Sequence, residues 1–464
     1  MEKDKIKKIH LVAACGTGMG TLACILQEMG YQVTGSDQNI YPPMSDFLAE
    51  KGVKLFSGFT PDNLAHHPDL VIIGNAVGRE NPEAKAVLDQ SMAYLSMPQA
   101  VNKFIAKGKK IILVTGTHGK TTTSSIMAHL LETAGLAPSF LVGGILRDFN
   151  SSFQIGSGEY MIIEGDEYDT AFFDKGPKFM HYDPYITIMT GVEFDHADIF
   201  RDIDHIRDIF SQFVRKIEPD SHIVAYMENE TLNQILKGST ATVETYGQGG
   251  DWQFSDHGQT AARTHARICG PNGKFDIETG LVGRHNLMNT LACVAVAKKM
   301  GIPDEIVQTA LSTFSGVKRR QEIRGIKRGI TIMDDFAHHP TAVRETIAAV
   351  KPFYEKGRVI AVFEPRTNTS MRHFFQQTYP EAFLLADKAI ICNPCVKKNI
   401  PEDQRFSPEQ LVTDINGKGG DALHFETPDK VIDYLIPELR ENDLVLIMSN
   451  GGFGNIHSRL LARL

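Results

Sequence analysis

One juncture limits the folds open to this chain more than any other: the apolar run Lys110-Ile-Ile-Leu-Val-Thr115, the turn Gly116-Thr-His-Gly119, then Lys120-Thr-Thr opening a helical pattern. Thr123, Ile126, Met127, Leu130, Leu131 and Ala134 recur at helix spacing, and Gly135 closes the element. A strand that passes through a glycine turn into a helix aims backbone N–H groups and the helix dipole at one spot, which suits a phosphate. The phosphate-loop pattern G-x-x-x-x-G-K-[ST] has a glycine where this chain has Val114. Gly116 and Gly119 still bracket Lys120 and Thr121. Lys120 can therefore neutralise β- and γ-phosphates, and the Thr121 hydroxyl can ligate Mg2+.

Similar alternation fills nearly the whole chain and predicts an α/β protein with parallel sheets. A first block runs from the strand pattern at Ile9 through a Gly-rich turn, a helix from Met19 to about Met29, and the strand Tyr31 to Asp37; it continues through Leu70-Val-Ile-Ile-Gly and ends near Gly108. In the second block, Tyr160-Met-Ile-Ile-Glu164 and Ile186-Thr-Ile-Met run into acidic residues, and Gly283-Arg-His-Asn leads into an apolar helix to Met300. Residues 240 to 280 read as irregular β structure. After Lys318-Arg-Arg, strand patterns recur at 329–335, 358–364, 388–392 and 444–449. Three consecutive units are expected: a Rossmann-like one over 1–108, a P-loop ATPase-like one over 109–322 and a second Rossmann-like one over 323–464. A length of 464 residues suits two to four domains.

Composition excludes several classes. A net charge of −8 leaves no global basic footprint for nucleic acid. No apolar run approaches the roughly 20 residues that span a bilayer, and no signal-peptide stretch opens the chain, so membrane insertion is not expected and a cytoplasmic location is. Six cysteines spread over this length do not suggest a disulfide framework, and Cys392-Asn-Pro-Cys395 lacks a second pair at zinc spacing.

Mg2+ prefers oxygen ligands, and the carboxyl edge of a parallel sheet brings Glu164 and Glu193-Phe-Asp-His196 beside the phosphate loop. Ala13-Ala-Cys-Gly-Thr-Gly-Met-Gly20 resembles a dinucleotide fingerprint with Ala13 and Cys15 where glycines belong, which argues against NAD. Another diphosphate on Gly16 to Gly20, or a packing turn without a ligand, both remain open. Asp334-Asp-Phe-Ala-His-His-Pro340 crowds titratable groups at a strand end, as functional sites and structural networks both do.

Taken together these stretches resemble the Mur ligase family, ATP-dependent amide-forming enzymes of bacterial cell-wall metabolism. The residues that carry the resemblance are Gly116 to Thr122, Glu164-Gly-Asp-Glu167, Glu193 to His196, Gly283-Arg-His-Asn-Leu-Met-Asn289, Arg319-Arg320 and Asp335-Phe-Ala-His-His-Pro-Thr341, in the family's order. The family's phosphate loop is the shorter G-T-x-G-K-T form, so Val114 is expected to end a strand. The resemblance implies an N-terminal UDP-sugar unit contacting its ligand through Gly16, Thr17, Gly18, Met19, Asp37 and Asn75. It implies ATP on Gly116, Thr117, His118, Gly119, Lys120, Thr121, Thr122, His285, Asn289, Arg320 and Asp335. Mg2+ would sit on Thr121, Glu164 and His196, with Lys120, Glu164 and His196 as the catalytic set.

Within the family, Cys15 to Gly20, Tyr41 to Ser45, Tyr168 to Lys175 with Phe179 to Tyr182, and Phe363 to Thr369 look most like the branch that joins a murein tripeptide to UDP-N-acetylmuramate. Arg366 and Asn368, with Ser449 and Asn450, are the candidates to hold that peptide; a salt bridge from Arg366 to a neighbouring acid is the alternative. The branch that adds L-alanine is the alternative enzyme, and a nucleotide-gated UDP-sugar-binding protein the alternative from another class.

Overall fold

A computed structural model describes residues 6–40, 44–260, 263–271, 273–394 and 400–464. The strand and helix alternation resolves into three large sheets in chain order. The first runs, edge to edge, Lys54–Ser57, Gln32–Asp37, Lys8–Val12, Leu70–Ile73, Tyr94–Ser96, with every pair parallel. Chain order reverses between Lys8–Val12 and Leu70–Ile73, so a crevice opens beyond their carboxyl ends, where the turn into the helix Thr17–Glu28 lies.

The central sheet runs Thr242–Tyr246, His222–Tyr226, Ile186–Met189, Lys110–Thr115, Tyr160–Glu164, Ser139–Leu146, Ser151–Gln154. All pairs are parallel except the last, an antiparallel hairpin. Its inner strands are buried on both faces and read as unbroken apolar runs, as parallel strands under two helix layers must.

Residues 240 to 280 are more regular than their composition suggests. Thr242–Tyr246 completes the central sheet, and Gln253–Gln259, Thr264–Gly270 and Gly273–Thr279 form a separate antiparallel sheet. Thr264, Ala266 and Ile268 face inward while His265 and Arg267 face water, so only one face offers an apolar signal.

The third sheet runs Glu322–Lys327, Ile330–Asp335, Leu444–Met448, Val359–Phe363, Lys388–Cys392, Ala422–Phe425, antiparallel at the first pair and parallel elsewhere. The crossing into it carries Arg319 and Gln321 at φ 63° and 48°, a tight path that sends Arg320 to Thr121 of the central unit while Arg319 donates to Asp334 and to the Ser449 and Gly451 carbonyls of the third. Phe194 of the central unit packs edge-on against Phe374 and Phe375 of the third. Among the described residues no helix is long and apolar enough to cross a membrane.

Candidate active site

Lys110–Thr115 ends in the middle of the central sheet, and the phosphate loop begins there. Val114, where the longer pattern has glycine, is a fully buried strand residue. Both loop glycines are sterically required. Gly116 has φ 123°, and a Cβ on it would lie 2.5 Å from Thr190 Oγ1; Gly119 has φ 79°, and its Cβ would lie 2.4 Å from Asn289 Oδ1. The helix Lys120–Thr133 starts at once, so its dipole faces the loop. Lys120 Nζ curls back to donate to the carbonyls of Gly116 at 2.6 Å and Thr117 at 3.2 Å, and to Glu167 Oε1 at 2.9 Å.

Neighbouring strand ends converge on this loop. Tyr160–Glu164 delivers Glu164, whose Oε1 accepts from the Thr121 hydroxyl at 2.9 Å and whose Oε2 accepts from the Gly143 N–H at 2.6 Å. Two residues on, Asp166 pairs with Lys178, and Glu167 turns inward onto Lys120. Burial pushes the Glu167 carboxyl up to about 7, against the pull of Lys120. Burial also works against the Lys120 ammonium, but Glu167 outweighs it and the lysine is held protonated.

Ile186–Met189 leads to Glu193-Phe-Asp-His196. Burial lowers the His196 imidazole; its Nε2 stands 4.0 Å from Glu167 Oε2, and its ring centre 4.3 Å from that of Tyr168. Burial works to raise Asp195, yet the His338 and His196 imidazoles hold it well below the usual carboxylate range. Thr121 thus pairs with Glu164, and Lys120 with Glu167, which His196 approaches. Hydroxyl and carboxylate oxygens are donors Mg2+ takes readily, with the His196 imidazole the exception in the set.

A cleft of about 530 Å3 runs from this loop to the third unit, lined on both sides by residues expected there: Thr117 to Thr122, Glu164, His196, His285, Asn289, Arg320 and Asp335. Arg320 Nη2 donates to Thr121 Oγ1 at 3.3 Å, and the Arg320 and Arg319 guanidinium carbons lie 4.5 and 5.3 Å from the centre of the Phe336 ring. Asp335 accepts from the Gln321 and Ala337 N–H groups, both at 2.8 Å, and so braces the crossing as well as lining the cleft. Thr341 donates to Glu193 Oε2 at 2.7 Å, and the Ala197 N–H to Thr369 Oγ1 at 3.0 Å, so the two units meet directly.

Some of the lining went unforeseen. Glu167 lies in the Glu164 to Glu167 stretch without an expected role, and Glu228, bound by Arg284 at 2.6 Å, follows the strand His222–Tyr226 by two residues, while Glu193 lines the cleft beside the loop as expected. An acidic group just past an apolar strand, the signal that singled out Glu164, also marks Glu228.

Expected UDP-sugar contacts stand apart from this cleft, at the crevice of the first sheet. Gly16 caps the helix Thr17–Glu28, and Asn75 is exposed just past Leu70–Ile73. Asp37 Oδ2 accepts from the Cys15 N–H at 2.9 Å and so shapes the turn. A Cβ on Gly18 would come within 3.2 Å of Met97. Met19 is 6% exposed and packs into the core. The Thr17 side chain and Tyr41 to Pro43 lie outside the described residues. Ala13 adopts φ 65°, the left-handed backbone of the glycine it replaces.

Arg366 stands 3.6 Å from Glu364 Oε1, forming the neighbouring-acid pair weighed as its alternative, while Ser449 Oγ donates to Glu364 Oε2 at 2.8 Å. Asn368 donates to Asp198 Oδ2 of the central unit at 2.6 Å, and Asn450 Oδ1 is buried without a hydrogen-bond partner. These four residues gather at the carboxyl edge of the third sheet, outside the cleft lining. Burial pushes the Cys392 thiol up to about 12, leaving it unreactive; Cys395 lies outside the described residues.

A phosphate-loop unit whose cleft is completed by a separate α/β unit defines the class: a multi-domain nucleotide-dependent enzyme that works at an interface between units. Family models match along the chain in order, the Mur ligase family catalytic domain over 8–109, the Mur ligase middle domain over 114–297 and the Mur ligase glutamate ligase domain over 319–451. The chain belongs to the Mur ligase family. It is 38% identical over 98% of its length, and 97% of the relative's, to UDP-N-acetylmuramate--L-alanyl-gamma-D-glutamyl-meso-2,6-diaminoheptandioate ligase of Escherichia coli K12. It is 33% identical, over 98% and 97%, to UDP-N-acetylmuramate--L-alanine ligase of Syntrophomonas wolfei. The crystal structure of a murein peptide ligase from Psychrobacter arcticus superposes with a TM-score of 0.74 at 32% identity, covering 98% of both chains.

Proposed function

We infer that this protein is an ATP-dependent ligase that joins the L-alanyl amine of L-Ala-γ-D-Glu-meso-diaminopimelate to the lactyl carboxylate of UDP-N-acetylmuramate, a step of murein recycling. The observation that carries this reading is the cleft itself: Lys120 and Thr121 on a phosphate loop, Glu164 beside them, and Arg320 arriving from the crossing into the third unit. The full-length likeness to a tripeptide-adding relative supports the choice of amine.

A carboxylate does not condense with an amine at neutral pH because its leaving group is poor. Phosphorylation by ATP gives an acyl phosphate, whose leaving group is good. The lactyl carboxylate attacks the γ-phosphorus, ADP departs, and the peptide amine then displaces phosphate through a tetrahedral intermediate. Two anions meet in the first step, so fixed cations carry most of the catalysis. Lys120, kept charged by Glu167, screens the γ-phosphate, and Arg320 adds charge from the crossing. Thr121, Glu164 and His196 would hold Mg2+ ions, which would add further positive charge beside the same anions. His285, Asn289 and Asp335 hold the nucleoside side. Gly16, Gly18 and Asn75, with Asp37 shaping the turn, receive the UDP-sugar. Arg366 exchanges Glu364 for a tripeptide carboxylate, which a guanidinium grips bidentately, with Asn368, Ser449 and Asn450 around it.

Purified protein given ATP, Mg2+ and UDP-N-acetylmuramate, with tripeptide or L-alanine in parallel, tests this directly. Phosphate release and an amide product with tripeptide are expected. Efficient turnover with L-alanine alone would instead assign the L-alanine-adding reaction, and tight UDP-sugar binding with no product from either amine would remove the ligase reading.

A further inference from the structure

A second group of ligating side chains stands beside the phosphate loop and shares no member with the Thr121, Glu164 and His196 set. His118, Glu193 and His339 offer ligand atoms that all lie within 4.8 Å of one another. His118 Nε2 is 3.4 Å from Glu193 Oε2, and His339 Nδ1 is 3.8 Å from the same oxygen. We propose that these three side chains form a site for a borderline transition-metal ion of the Zn2+, Ni2+ or Co2+ class, which clamps the phosphate loop to the third unit.

The ligand chemistry sets the choice of ion. Two imidazoles and one carboxylate favour Zn2+ and its neighbours over Mg2+. Bonds of about 2.1 Å at tetrahedral angles place ligand atoms about 3.4 Å apart. One pair already stands at that distance, a second at 3.8 Å and all three within 4.8 Å, so closing the trio needs side-chain rotation that brings the two imidazoles nearer each other.

A second observation points the same way. His118 Nε2 is buried without a hydrogen-bond partner, with the Glu193 carboxylate facing it. Outer contacts orient the other two ligands, as metal sites require. His339 Nε2 lies 3.2 Å from the Phe194 carbonyl; donating there leaves Nδ1 unprotonated, and the Thr341 hydroxyl fixes Glu193 at 2.7 Å. Burial and the neighbouring His118 ring lower the His339 imidazole to about 3, so it is neutral and able to ligate at physiological pH.

His118 lies in the phosphate loop and Glu193 past a central strand, whereas His339 caps the helix Pro340–Val350 of the third unit. An ion here crosses the interface between units. It also competes with the cap, because His339 Nδ1 accepts the Thr341 N–H at 3.2 Å.

Chelator-treated full-length protein titrated with Co2+ and followed by visible d–d absorption tests the site without reference to turnover. One equivalent with low-coordinate intensity is expected for the wild type and for His196→Gln, with Zn2+ displacing it. His118→Gln and His339→Gln, each checked by circular dichroism, should lose more than the roughly 10–100-fold affinity that an outer contact contributes. Thr341→Val keeps all three ligands and should weaken Co2+ by about tenfold. No low-coordinate Co2+ in the wild type, an unchanged spectrum in the two histidine variants, or loss in His196→Gln alone would each overturn the assignment.

Discussion

Gly119→Ala isolates one atom pair that ties the phosphate loop to the helix Arg284–Lys299. The new Cβ would sit 2.4 Å from Asn289 Oδ1 on a backbone at φ 79°. A left-handed conformation costs a non-glycine residue about 1–2 kcal/mol. Displacing the buried Asn289 amide from its packing and its 3.4 Å contact with Asn286 costs about 1–2 kcal/mol more. The sum, about 2–4 kcal/mol, falls on the loop and the start of the helix Lys120–Thr133. Global unfolding of three units does not report such a local term cleanly, whereas amide hydrogen exchange does. Where reclosing outpaces exchange, peptides covering 116–125 should exchange about 30–1000-fold faster in Gly119→Ala, each 1.4 kcal/mol being tenfold. Gly119→Ala combined with Asn289→Ala removes the obstruction and leaves the backbone strain, so acceleration relative to Asn289→Ala alone should fall to about 5–30-fold. Equal acceleration of Gly119→Ala in both backgrounds would refute Asn289 as the neighbour that demands glycine.

Lys120→Ala should lower turnover by at least about 10²–10³-fold while circular dichroism stays unchanged, because it removes a preorganised cation from the phosphoryl-transfer site; phosphate release measures it. Arg366→Ala should raise the KM for tripeptide by about 10–100-fold, in line with about 1.5–3 kcal/mol for a hydrogen bond to a charged group, and leave the KM for UDP-sugar unchanged; steady-state kinetics with each substrate varied separates the two. His118 and Thr341 hold the Glu193 carboxyl at about 2 despite burial that works to raise it. The stability it contributes is complete above the ordinary Glu value of 4.5 and is lost as pH falls from 4.5 to about 2. Thermal midpoints of Glu193→Gln should therefore fall less steeply than wild type across that window.

The main strands, though not their order in the sheets, follow from features that lie along the chain. Lys110–Thr115, Ile186–Met189 and Leu444–Met448 are buried on both faces, so their apolar runs announce strands without ambiguity. Gln253–Gln259 is largely exposed and carries no such run, and its partner strands show one apolar face only, so the sequence reads as β structure there without showing its regular antiparallel pairing. Site residues divide in the same way. Gly116, Lys120, Thr121 and Glu164 are fixed by one loop and adjacent strand ends, and local spacing suffices to bring them together. The pair of Arg366 with Glu364, two residues apart, is open to a local reading, whereas Lys120 with Glu167 and His339 with Glu193 depend on how far a turn carries the chain or on how two units meet. Nothing in residue spacing encodes those distances.

The turn at Ala13 sharpens what a glycine fingerprint measures. Glycine is expected there because the backbone must turn sharply between strand and helix, and its absence argued against a dinucleotide. Yet Ala13 takes φ 65° and makes the turn with its methyl 4% exposed, packed in a cluster with Leu64, Val71 and Ile73. Strain of about 1–2 kcal/mol in the left-handed backbone is set against about 0.8 kcal/mol from burying one methyl group and about 0.4–1 kcal/mol from a stiffer unfolded chain. The terms nearly cancel, so alanine persists where backbone geometry alone would select glycine. Ala13→Gly should accordingly change the stability of the first unit by less than about 1 kcal/mol, which for a unit near 100 residues shifts its midpoint by less than about 8 °C. Hydrogen exchange in the helix Thr17–Glu28 should stay within about fivefold of wild type. A loss of more than about 2 kcal/mol would mean that the methyl is anchored by packing well beyond its own burial. Neutrality would show that the left-handed turn, rather than glycine as such, is what this crevice requires.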